Sequence, residues 1–113
     1  MQIQLNTDNH VHGEESLAQW AERELRAKLH RFTDHITRVE IHLSDINGAR
    51  VSEQDKRCKL EARLAGRPPL AVSHDAGKVA DALHGAADKL QRALETALGR
   101  QRDAQGRATI RGG

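Results

Sequence analysis

The chain has 113 residues, 37% hydrophobic and 30% charged, with two prolines and nine glycines; this is the balance of one folded domain around one core, and it excludes a disordered chain and a second domain. Trp20 and Phe32 are its only aromatic residues, and both fall at interior positions below, which argues against a protein that grips single strands by stacking bases. The formal charge is +2, but residues 1–56 hold seven Lys/Arg against ten Asp/Glu while residues 57–113 hold eleven against six, so the halves carry −3 and +5 and the second has the excess that an anionic partner requires.

Cys58 is the only cysteine, so no internal disulfide can form and a reducing compartment is expected. The N-terminus shows no basic region followed by an apolar stretch, and no window approaches the roughly 18 apolar residues of a membrane span. A cytoplasmic protein with no membrane contact is the expectation.

Residues 2–6 alternate, with Ile3 and Leu5 on one side and Gln2, Gln4 and Asn6 on the other, as in a short half-buried strand. Glu14 and Glu15 suit the positive end of a helix, and Ser16 with Gln19 fits a capping box. Leu17, Trp20, Ala21, Leu25, Leu29 and Phe32 then recur at helical spacing, opposite a face carrying Glu22, Arg23, Arg26 and His30. The period returns to two over 38–44, where Val39, Ile41 and Leu43 form the apolar side of a second strand.

Asp45 to Asp55, with Asn47-Gly48 inside it, reads as a flexible loop closing a hairpin. The third strand is expected over 56–65, with Cys58, Leu60, Ala62 and Leu64 toward the core and Arg57, Lys59, Glu61 and Arg63 outward. Gly66-Arg67-Pro68-Pro69 reads as a turn, because prolines cannot donate to a ladder. A brief fourth strand is expected over Leu70–Ser73. Asp75 is the expected N-cap of a second helix whose apolar stripe, Val79, Leu83, Ala86, Leu90, Ala93, Leu94 and Ala97, runs to about Leu98. Gly85 interrupts that helix at about 1 kcal/mol relative to alanine. Gly99 is placed as a C-cap, so residues 1–98 are expected to form the single domain and the basic residues 99–113 a disordered tail. The fold class is α+β, in the order β-α-β-β-β-α, with two helices on one face of a four-stranded sheet.

The opening MQIQL, the helix pattern from Leu17 to Phe32 followed by Asp34 and Ile36, the strand RVEIHL, and Asp88-Lys89-Leu90 with Arg92 and Leu94 together resemble the ribosome hibernation-promoting family, also described as light-repressed or sigma-54 modulation proteins. The resemblance covers about residues 1–98. It implies a fold like double-stranded-RNA-binding domains, and a partner in the small ribosomal subunit and its rRNA, whose messenger and transfer-RNA channel the domain blocks during stress. It also implies a short form, since the chain ends too early for the C-terminal dimerisation domain of long forms.

Lys89, Arg92, Lys78, Arg100 and Arg102 are the candidate phosphate contacts on and around the second helix, because Lys and Arg neutralise phosphates whatever the base sequence. On spacing alone Asp88 and Arg92 would be an ordinary surface pair; the resemblance favours RNA contact for Lys89 and Arg92. Arg23, Arg26, Lys28 and Arg31 place four cations within nine residues of the first helix, and solvated faces have the same look. Arg57, Lys59 and Arg63 share the open face of the sheet, where they serve either RNA or protection of the sheet against aggregation.

Among seven histidines, His10 and His12 are the closest to a ligand pair, but a structural zinc site needs four ligands and Cys58 stands alone on a core position, so no metal is expected. No phosphate loop or nucleophile elbow is present, and the chain is read as a non-enzyme without cofactor or small-molecule substrate. Two further readings stand beside ribosome binding: a family-fold protein that has lost it and serves as an interaction module, pairing weakly with a second copy through its sheet, and a binder of any structured RNA.

Overall fold

The computed structural model describes residues 1–7, 15–46 and 55–112, with side chains through Gly99. Its elements run β1 (Gln2–Thr7), α1 (Glu15–Lys28), β2 (Ile36–Asp45), β3 (Lys56–Leu64), β4 (Arg67–Ala76) and α2 (Val79–Gly112). The strands form one sheet in the order β1-β2-β3-β4. β1 pairs parallel to β2, which requires the α1 crossover, and β2, β3 and β4 pair antiparallel. α2 packs over β3 and β4, while α1 packs toward β1 and against α2.

The period-two residues do what their spacing requires. Val39, Ile41, Cys58, Leu60 and Ala62 are completely buried beneath Ala21, Leu25, Leu83, Leu90 and Leu94 of the helices. Met1, Ile3, Leu5, Leu17, Trp20 and Val79 pack half-buried around that core. Among the described residues no polar or charged residue is fully buried, so burial of aliphatic area is the main favourable term.

Several local expectations are corrected. α1 starts at Glu15 and therefore includes Ser16 in its first turn; the Gln19 amide reaches the Glu15 carboxylate at 3.4 Å. The helix ends at Lys28, and a 3₁₀ turn over His30–Phe32, opened by the Phe32 N–H donating to Leu29 O at 2.9 Å, carries the apolar stripe on to Phe32. β2 and β3 are joined by an Ile46 N–H to Asp55 O bond of 2.9 Å and by Lys56 Nζ between Asp45 (3.0 Å) and Asp55 (3.5 Å). The Asn47-Gly48 expectation lies outside the described residues, as do Glu14, His10 and His12.

The turn between β3 and β4 is Ala65-Gly66, with Gly66 at φ +71°, and not 66–69. Pro68 and Pro69 lie inside β4. They are tolerated because β4 is an edge strand and because the register slips there: Ala62 faces Leu70 whereas Leu64 faces Arg67. β4 also runs three residues past Ser73, which removes Asp75 from the cap of α2. The first intrahelical bond of α2 is Ala82 N–H to Lys78 O, 3.0 Å. At the other end α2 passes through Gly99 and continues to Gly112, so the expected C-cap is not used.

Gly85 has a reason that its helix-breaking cost hides. The His74 ring from β4 sits so close that a Cβ at Gly85 would lie 2.1 Å from His74 Cδ2. The missing side chain lets α2 and β4 approach.

Candidate nucleic-acid interface

Ten of the twelve candidate cations have described side chains; Arg100 and Arg102 lie in α2 beyond them. Five of the ten are held by other groups. On α1, Arg26 donates to Glu22 one turn earlier, with Nη2 at 2.8 Å. Lys28 reaches across to Asp88 of α2 at 2.5 Å, and the Arg31 guanidinium binds the Glu95 carboxylate while lying 4.6 Å above the Phe32 ring. On the sheet, Arg57 donates through Nε and Nη2 to the two carboxylate oxygens of Asp75 at 2.8 and 3.1 Å. Lys89 donates to the backbone carbonyl of Ser73 at 2.8 Å, on the free edge of β4. That contact is not an ion pair, and it leaves the charge of Lys89 at the surface.

The other five, Arg23, Lys59, Arg63, Lys78 and Arg92, are exposed and have no hydrogen-bonded or ion-paired partner among the described residues. They occupy two sides of the molecule. Arg23 lies on α1, and Arg92 and Lys78, with Lys89, lie on α2 and at its entry; Lys59 and Arg63 project from the opposite, uncovered face of the sheet. The i,i+4 pair between Asp88 and Arg92 is not made, because Asp88 is taken by Lys28.

The ionised forms of Asp75 and Asp88 are favoured. The bond from Arg57 holds the Asp75 carboxyl below the usual range, and the bond from Lys28 does the same for Asp88, with smaller help from Arg92 and His84. Cys58 behaves oppositely, burial pushing its thiol up to about 12.

Sequence reasoning passed over Arg38 and Arg67. Arg38 stands next to Arg63 in register on the outer face and bonds Gln4 and Glu40, the latter at 3.1 Å. The strand period already placed it outward. Arg67 donates to Ala97 O at 2.8 Å and ties the start of β4 to α2, a link without any local signal. The same outer face carries Glu40 directly opposite Glu61, so its cations are interleaved with acids. Among the described residues no group of three His, Cys, Asp or Glu could hold a metal, and no helix is long and apolar enough to cross a membrane.

The fold is similar to the N-terminal domain of Protein Y from Thermus thermophilus, with a TM-score of 0.68 at 21% identity over 85% of this chain and 98% of that one. It is also similar to a ribosomal subunit interface protein from Coxiella burnetii, with a TM-score of 0.67 at 20% identity over 88% and 99%. No curated protein matches the chain. The family described as Sigma 54 modulation protein / S30EA ribosomal protein matches residues 5–102, from the middle of β1 through the packed length of α2, and the chain belongs to that family of ribosome-associated factors.

Proposed function

We propose that this protein binds the small ribosomal subunit and inhibits translation by occupancy: the domain fills the messenger and transfer-RNA channel under stress, rRNA phosphates hold it there, and competing RNA is kept out. The observation that carries this reading is the family match over residues 5–102, which runs from within β1 through the other strands and α1 into α2. Five exposed cations that make no ion pair among the described residues, together with Lys89, supply the chemistry, since neutralising phosphates releases counterions without reading sequence. The activity is binding, with no chemical step, and its site is the cytoplasm where ribosomes are.

Co-sedimentation of the purified protein with small subunits across a salt series tests this. Binding should weaken with a log–log slope of about −0.7 to −0.9 per neutralised phosphate. Protein that stays in the supernatant at low salt refutes the proposal.

A second reading, association with another copy through the open sheet, is favoured by one observation. Rows of opposite charge alternate across that face, Arg38 and Arg63 beside Glu40 and Glu61, then Lys59. Such stripes can complement themselves in a second molecule. Sedimentation equilibrium giving a monomer at high concentration eliminates it.

A further inference from the structure

Two cations of the α1 segment are occupied by acids of α2 in a regular way. Along the line where the helices meet, Glu24, Lys28 and Arg31 face His84, Asp88 and Glu95 in the same order. Glu24 Oε2 is 3.5 Å from His84 Nε2, and the Trp20 ring stands 5.7 Å from the His84 ring at that end. An open groove of about 310 Å³ lies there, lined by Glu24, Lys28, His84, Ala87 and Asp88, and Arg31 and Glu95 line a second opening of about 240 Å³ with Phe32, His35, Leu98 and Gly99.

The two Lys/Arg pairs are both open to solvent. Lys28 and Asp88 keep 38% and 48% of their side-chain surface exposed, and Arg31 and Glu95 keep 58% and 47%. Ion pairs that wet are weak and screened by salt. Neither acid is fully buried, and the Phe32 ring supports the Arg31 guanidinium from below whichever anion it meets. A phosphate arriving at the groove can thus take the place of a carboxylate, provided it outcompetes an acid that is always present.

We infer that the α1–α2 seam is a second phosphate-docking groove masked by the protein's own acids, with Asp88 and Glu95 occupying the positions of RNA backbone phosphates. The inference rests on the ribosome-binding reading and concerns how that binding is restrained. Affinity is held down by intramolecular competition for Lys28 and Arg31.

The test is the affinity of Asp88→Asn and Glu95→Gln variants for purified small ribosomal subunits across a salt series. Asp81→Asn is the control, because it makes the same change in net charge on an exposed acid of α2 that holds no cation among the described residues. Circular dichroism of each variant establishes that it is folded. Asp88→Asn and Glu95→Gln should each bind about fivefold tighter at low salt, with a salt slope steeper by about 0.7 to 0.9 for the released cation. Asp81→Asn should change little. Adding Lys28→Gln to Asp88→Asn should return affinity to that of the unaltered protein. Gains no larger than that of Asp81→Asn, or a gain that survives Lys28→Gln, overturn the mask. Failure of every form to bind removes the ribosome-binding reading with it, whereas binding by the unaltered protein with unchanged variants removes the mask alone.

Discussion

Gly85 and Cys58 show how a single residue's role depends on what stands over it. Replacing Gly85 by alanine gains about 1 kcal/mol of helix propensity, but the new Cβ would lie 2.1 Å from the His74 ring, and overpacking costs about 1–3 kcal/mol. Gly85→Ala should therefore lower stability by up to about 2 kcal/mol in urea denaturation, and adding His74→Ala should recover part of the loss. A Gly85→Ala protein more stable than the parent would contradict the close approach. Cys58 is fully buried with its thiol pushed up to about 12. Since the thiolate is the reacting form, a thiol reagent at pH 8 should leave the folded protein unlabelled and react fully in denaturant.

Among the elements, β3 and β4 are joined through Arg57 and Asp75, and the helices through Lys28 and Asp88. Both carboxyls are held below their ordinary values. As the pH falls, the unfolded chain takes up protons at these acids before the folded chain does, so their contribution is complete above about pH 5 and is lost as the pH drops through the folded values. The unfolding midpoint should fall between about pH 5 and pH 3, and Asp75→Asn with Asp88→Asn should flatten that fall. The change will be modest, because both acids are solvent-exposed and screened. The helical stripes, the second and third strands and their core residues were legible because their periodicity is a local property of the chain. β4 was not. An edge position and a bulge accept Pro68 and Pro69 within the strand, and a partner on β3 makes Asp75 a strand residue in place of a cap; neither fact is local.

At the scale of the whole molecule, the cations unpaired among the described residues lie on two sides, Arg23, Lys78 and Arg92 with the helices and Lys59 and Arg63 on the open sheet. A body that fills a channel is touched on more than one side, whereas one resting on a surface is touched on one. Arg92→Glu and the pair Lys59→Glu, Arg63→Glu should therefore each weaken ribosome association, and each should make the salt slope shallower by about one unit for every phosphate that is no longer neutralised. If reversal on one side alone has an effect, the channel-filling geometry is wrong and surface docking replaces it.

The sequence by itself determined the α+β order, the aliphatic core and the family, because spacing of apolar residues and short strings of side chains are carried along the chain. Tertiary structure alone decided which cations remain available. Arg31 meets Glu95 64 residues away, Lys28 meets Asp88 on the other helix, and Arg57 meets Asp75 on the neighbouring strand, while Arg92 loses the partner its spacing offers. Charges act through space over a few ångströms, and only packing of the helices on the sheet decides which of them come that close.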